Sequence, residues 1–268
     1  MLPVLLDPSL QQLLNIKHGF FTRLGGTSIA HYATLNCDYN CGDSASKVKY
    51  NRQLIASYFN TPLTNLVTVK QIHSNKVVTI KHANHCSQNV ACADGIVSNL
   101  CQIVLGATSA DCPIVLLAEP HKRIIGIAHA GWRGAKSGIL AAIVEAMQDL
   151  GGKTKNIVAA ISPCINQLSY QISYDLFADF CQLTTDNAQY FVADTDNTTN
   201  IANKTFYFDL LAYVKDSLLS LKIASVSTAV AYDTYSAVQQ FFSYRRACHR
   251  QQLTCGRQMS AIMLCAEP

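Results

Sequence analysis

The sequence predicts a mixed α/β (α+β) domain whose central β-sheets are largely antiparallel and flanked by helices. Three observations predict it. Short apolar runs rich in β-branched residues recur along the chain, two segments repeat apolar residues at helical spacing, and the turn at Glu119–Lys122 folds two apolar runs back on one another. With 268 residues, 49% hydrophobic and 14% charged, the chain can bury a sizeable core, and residues 1–268 are expected to form a single domain.

The first strand-like run, LVTVKQIH (66–73), stops at the turn residues Ser74 and Asn75. Four more follow: IVLGAT (103–108), PIVLLAE (113–119), RIIGIAHA (123–130) and NIVAAIS (156–162). Between the last two, SGILAAIVEAMQDLGG (137–152) reads as a helix. Its Ile139, Leu140, Ile143, Val144 and Met147 share one face, and Gly151 supplies a left-handed stop. FDLLAYVKDSLLSL (208–221) is a second helix, with Asp209 placed to cap it. The Asn-, Asp- and Thr-rich stretch 184–200 is expected to be an exposed excursion. No repeat, low-complexity tract or Pro/Ser-rich linker interrupts the chain.

Composition narrows the partners. A net charge of +4 suits acidic or phosphorylated small substrates and is too weak to argue for nucleic acid. No apolar run has membrane length, and Asp7 interrupts an N-terminal stretch whose first basic residue is Lys17, so a soluble, cytoplasmic protein is expected. Eleven cysteines, an odd number without a C-x-x-C pair, form no disulfide framework and fit a reducing compartment.

The chemistry concentrates around the Glu119–Lys122 turn. If Glu119 opposes Lys122 across a tight loop, Cys112 faces His129 at the open end of the hairpin, with Cβ atoms roughly 5 Å apart. A thiolate and an imidazole select zinc or copper over magnesium or calcium. His73, ending another strand-like run, is placed to be a third ligand. A Cys/His/His set leaves the fourth zinc position open, as catalytic sites do. The plain alternative makes Cys112 a core thiol and the histidines ordinary hydrogen-bonding residues. After His129 the chain reads Ala130-Gly131-Trp132-Arg133-Gly134 and enters the helix after Ser137, whose N-terminus would attract an anion. Arg133 would add a bidentate phosphate contact, or is a surface charge at a helix start. Trp132 reads as a core anchor ahead of a base-stacking surface.

The ordered motifs QIHS (71–74), ADG (93–95), SADC (109–112), HAGWRG (129–134), SPCI (162–165), FFSYRR (241–246) and CGRQ (255–258) resemble the YfiH-like laccase-domain family. HGFFTRLGGTS (18–28) and LNCDYNCGDSASKVKYNR (35–52) extend the likeness over nearly the whole chain. The resemblance implies a YfiH-like fold and a zinc enzyme that phosphorolyses adenosine, inosine and methylthioadenosine and deaminates adenosine, under an older label of multicopper polyphenol oxidase. It implies zinc on His73, Cys112 and His129, with Cys112 and His129 also in the reaction centre, and a phosphate or substrate contact on Arg52. The partners implied are a nucleoside and inorganic phosphate. Ser74 and Ser162 stand where the family usually has glycine, Asp233 where a cysteine is common, and the stretch around Arg245 and Arg246 is longer than usual. Those two arginines read as phosphate ligands or, slightly favoured, as surface charges.

Three other functions share these residues. A multicopper oxidase needs about ten histidines, commonly in H-x-H pairs, whereas this chain has 8 and no such pair. A cysteine-dependent hydrolase would use Cys112 as nucleophile and His129 as base, but has no need of His73. A structural zinc module would close the site with a fourth ligand such as Cys164.

Overall fold

The computed structural model of the protein describes residues 2–82, 91–195, 204–230 and 232–266. Strands and helices are, in chain order, β1 (Val4–Leu5), α1 (Pro8–Gln11), β2 (Ile16–Phe21), α2 (Ala45–Tyr58), β3 (Leu66–Val67), β4 (Val77–Ile80), β5 (Gly95–Ser98), β6 (Val104–Ser109), β7 (Ile114–Glu119), β8 (Ile124–His129), α3 (Trp132–Lys136), α4 (Ile139–Asp149), β9 (Val158–Ile161), β10 (Gln171–Ser173), α5 (Tyr174–Cys181), β11 (Phe191–Ala193), β12 (Thr205–Phe208), α6 (Leu210–Ser220), β13 (Ser225–Ser227), α7 (Tyr244–His249) and β14 (Gln258–Leu264). They build a five-stranded sheet ordered β1-β2-β14-β6-β3, a six-stranded sheet ordered β13-β9-β7-β8-β5-β4, and a small sheet ordered β10-β12-β11. The parallel pairings in these sheets lie at sheet margins (β3 on β6, β13 on β9, β4 on β5), and the interiors are antiparallel, as the sequence predicts.

The continuous apolar runs of β7 and β8 have a layered cause. Alternate side chains, Ile114, Leu116, Ile125 and Ile127 among them, pack against Phe20, Leu105 and Ile262 of the five-stranded sheet. Their neighbours Val115, Leu117, Ile124 and Ala128 pack with α4, α6 and the small sheet. Both faces are therefore buried, and α2 covers the outer face of the five-stranded sheet through Ile55 and Phe59. The apolar face of α4 buries Ile139, Leu140, Ile143, Val144 and Met147, roughly 10 kcal/mol of transfer free energy that outweighs propensity terms of a few tenths per residue. It packs closely because β5 and β8 offer glycine there. A Cβ on Gly95 would stand 3.1 Å from Ile143 Cδ1, and one on Gly126 3.3 Å from Met147 Sδ.

Several expectations are corrected or refined. The β7–β8 loop is four residues long, not two, so Glu119 pairs with Ile124 and His129 with Ile114. That slip of two residues preserves the facing of every side chain, because the strand period is two. Trp132–Lys136 already forms a short helix, and left-handed Gly138 (φ 89°) separates it from α4. The helix expected after Ser137 does begin there, at Ile139; the difference is that the preceding stretch, read as a turn, is itself helical. Finally, 184–195 is mostly exposed, as expected, but is not irregular: a 3₁₀ turn at Thr185–Tyr190 buries Asn187, and β11 follows. The remaining residues of that stretch, 196–200, lie outside the described residues. The run 66–73 is strand only at Leu66–Val67.

Candidate metal centre

His73, Cys112 and His129 come together at one end of the two large sheets, their ligand-capable atoms all within 4.8 Å of one another. His129 ends β8, and Cys112 lies just ahead of β7 on the same side of the hairpin as Ile114, a diagonal neighbour across the ladder instead of a direct one. Ala130 N–H donates to the Pro113 carbonyl (2.9 Å) and closes this end of the hairpin. Asp111, immediately before Cys112, is left-handed (φ 96°) and held there by long-range bonds. Its carboxylate accepts from Thr234 Oγ1 and from the Arg245 N–H, each at 2.7 Å. His73 is also left-handed (φ 60°), and Gln71 pins its loop to β6 by exchanging hydrogen bonds with Thr108, 2.8 and 2.9 Å. Non-glycine residues at positive φ cost about 1–3 kcal/mol each and concentrate where a site demands them.

Asp94, 1% exposed, organises the two histidines. Its carboxylate accepts from His129 Nδ1 (2.9 Å), from the His73 and Ser74 N–H groups (2.9 and 2.6 Å) and from Ser74 Oγ (2.9 Å). Burial would raise this carboxyl, yet its donors hold it down at about 2. With Nδ1 engaged, His129 keeps Nε2 for a ligand. Burial pushes the His129 imidazole down, but the facing Cys112 thiolate and Asp94 together lift it to about 9. Burial likewise pushes the Cys112 thiol up, and the charges and hydrogen bonds of His129 and His73 pull it to about 6.

The donor set suits a soft divalent ion. Tetrahedral zinc places Cys and His donors about 3.4–3.6 Å apart, within an ångström or so of this spread. Gly131 supports the fit: a Cβ there would lie 2.9 Å from Cys112 Sγ and 3.0 Å from His73 Cδ2, so only glycine leaves the three donors room. His73 is exposed and Cys112 partly so, which gives the trio an open side. Among the described residues the group holds these three ligands and no fourth; Cys164 is buried elsewhere, with its thiol pushed up by desolvation and by Asp111.

Two cavities meet at the trio. The larger, about 660 Å³, is lined by His73, Cys112 and His129 together with Arg52, Lys70, Arg133 and Arg257. Arg52, 3% exposed, is locked in place: Nε donates to the Cys37 carbonyl (2.7 Å), Nη1 to Thr68 Oγ1 (3.2 Å), and the guanidinium lies over Tyr39. Arg257 pairs with Asp38 on the same wall. The second cavity, about 380 Å³, shares His73 and Cys112 and is more apolar, with Trp132, Tyr170, Leu210, Tyr244 and Arg245 around it. Trp132 packs against the core, the first role weighed for it, while its ring carries the Arg133 guanidinium (4.2 Å) and borders this cavity. Arg133 is exposed but turned onto Trp132 and into the clefts. Arg245 also lines the second cavity, over Tyr170. Arg246 corrects the surface reading: it is buried and donates to the carbonyls of Thr234, Tyr235 and Phe241, so it ties loops together. Sequence reasoning missed Asp94, Lys70, Arg257 and Tyr244. ADG, FFSYRR and CGRQ had marked three of these positions, Asp94, Tyr244 and Arg257, as motif members without a role.

Comparison with known proteins identifies the family and the fold. Residues 17–265 match the family described as multi-copper polyphenol oxidoreductase laccase. A purine nucleoside phosphorylase of Rickettsia conorii is 32% identical over 252 residues, covering 93% of this chain and 97% of that one. A protein of Bacillus licheniformis, YfiH, superposes with a TM-score of 0.83 at 25% identity over 98% of this chain and 99% of its own. A Neisseria meningitidis protein does so with a TM-score of 0.80 at 27% identity, over 94% and 96%.

Proposed function

The chain belongs to the YfiH-like laccase-domain family, and from that premise we propose that it is a zinc-dependent purine nucleoside phosphorylase acting on adenosine, inosine and methylthioadenosine, with adenosine deamination as a second activity. The observation that carries this reading is the junction of a cationic cavity and an aromatic one at the His73, Cys112 and His129 trio. A relative named purine nucleoside phosphorylase supports it.

Phosphate enters the cationic cavity, where Arg52 is held in a fixed orientation and Arg133 and Lys70 add charge. The purine lies between the aromatic walls of the second cavity, near Trp132, Tyr170 and Tyr244. A phosphate oxygen then forms the bond to the ribose C1′ as the glycosidic C–N bond breaks, and the base leaves with a proton, giving ribose 1-phosphate. Arg52 stabilises the charge on the phosphate as the oxocarbenium-like sugar develops. Zinc, when bound by the three residues, supplies Lewis-acid chemistry and, for deamination, activates water. The described cysteines are free thiols, which fits a reducing cytoplasm. Eight histidines in the whole chain, two of them in the site, favour zinc over a multicopper cluster.

The test incubates purified protein with adenosine or inosine and phosphate and looks for free base, ribose 1-phosphate and, from adenosine, inosine. Absence of all three with zinc bound at one equivalent removes the proposal. Copper at that stoichiometry in protein purified without added metal returns the oxidase reading. One observation favours a second reading: Cys112, His129 and Asp94 also form a thiolate–imidazole–carboxylate series. Stoichiometric alkylation of Cys112 in metal-loaded protein would select that hydrolase.

A further inference from the structure

We propose that Asp94, with Ser74 as its auxiliary donor, is the positioning residue of the metal centre, fixing the His129 tautomer and the His73 backbone together so that the two imidazoles are presented as one preformed pair. The proposal rests on reading the trio as a metal centre, and is independent of which substrate that centre serves.

The geometry carries it. The two histidines come from segments 56 residues apart in the chain, and no strand pairing joins the 72–74 loop to β8. Asp94 is the covalent waypoint between them. It immediately precedes β5, which pairs antiparallel with β8, so its carbonyl accepts the His129 N–H (2.8 Å). The same residue's Oδ1 takes both His129 Nδ1 and the His73 N–H, each at 2.9 Å. Its Oδ2 takes the Ser74 N–H (2.6 Å), the Ile72 N–H (3.2 Å) and Ser74 Oγ (2.9 Å). Three consecutive amides, Ile72 to Ser74, thus wrap one carboxylate and hold His73 in its left-handed conformation. The His73 and His129 rings stand edge to face, centroids 4.8 Å apart.

Only a carboxylate satisfies this set. It is acceptor-only on both oxygens, whereas an asparagine would turn an NH₂ towards groups that donate. An Nδ1–H bonded to Asp94 leaves Nε2 as the lone-pair nitrogen facing the site. The Ser74 hydroxyl is an additional donor to Oδ2 that also accepts the Lys76 N–H (3.2 Å). The carboxylate in this chain is therefore held more firmly than backbone amides alone would hold it.

The experiment compares wild type, Asp94→Asn and Ser74→Gly. Zinc affinity is measured by chelator competition, cobalt-substituted protein by its visible spectrum, and the His129 tautomer by ¹⁵N imidazole resonances. Asp94→Asn should weaken zinc about 10- to 100-fold, alter the cobalt spectrum and shift the His129 proton off Nδ1. Ser74→Gly should keep the tautomer and weaken zinc by a few-fold. Zinc affinity within twofold of wild type in folded Asp94→Asn overturns the proposal. If that variant does not fold, wild-type metal-free protein decides, at a pH above the His129 titration where the ring is neutral: a proton on Nε2 overturns the proposal, and one on Nδ1 supports it. A wild type that binds no metal at all refutes the metal-centre reading itself, a different outcome.

Discussion

The middle of the five-stranded sheet and the open end of the six-stranded sheet each bury a histidine almost completely. His18 in β2 is 2% exposed and His129 in β8 is 3%. Their surroundings drive them in opposite directions. His18 Nε2 accepts the Asp7 N–H at 2.8 Å and sits among Phe20 and its neighbours, so desolvation, only partly offset by Asp7, takes it down to about 4. At His129 desolvation acts in the same sense, but a thiolate and a carboxylate on either side overcome it. Burial by itself makes a histidine a neutral structural acceptor. Oppositely charged groups placed on both ring nitrogens make it part of a reactive centre.

That contrast can be broken most forcefully at Cys112. Cys112→Ala should lower zinc affinity by at least about a thousandfold, a larger loss than the 10- to 100-fold typical of outer-shell partners, as read by chelator competition. In the metal-free variant the His129 resonance should titrate well below wild type, towards His18 behaviour, because one of its two raising partners is gone. An unchanged His129 titration would refute the electrostatic account.

Gly131→Ala comes next. The added Cβ stands at 2.9 Å from the thiol and 3.0 Å from the His73 ring, so one of them must move. Zinc should weaken about 10- to 100-fold, as for other displacements of the ligand set, while urea stability of the metal-free protein changes little.

His18 gives a smaller effect with a fixed sign. Its folded value lies below the unfolded one, 6.5 against about 4. The stabilisation is therefore fully present above 6.5 and is lost as pH falls through that window, because only the unfolded chain takes up the proton. Between pH 7.5 and 5 the loss should be about 2 kcal/mol, measured by urea unfolding, and His18→Gln should abolish that part of the pH dependence. The smallest expected effect is that of His18→Gln on zinc, within twofold of wild type. A larger change would mean that the two regions are not independent.

Much of the site was legible one residue at a time. Cys112 and His129 follow from an apolar hairpin, and even the wrong loop length kept them together, since the four-residue turn moved the register by an even number. His73 was less secure, because its run is strand only at Leu66–Val67 and the ligand is carried by a left-handed loop. Arg246 was misread because no local pattern announces that three loop carbonyls will surround a guanidinium. Asp94 was invisible as an organiser for the same reason: its partners come from two segments that meet only after β5 and β8 have paired.

The sequence by itself determined the layered architecture and the ligand types, because hydrophobic periodicity and side-chain chemistry are local properties carried by each residue. Tertiary structure alone decided how the groups act. Hydrogen-bond geometry and charge–charge distance belong to pairs of residues far apart in the chain, so the depressed thiol, the raised imidazole and the shared carboxylate exist only once the sheets have closed.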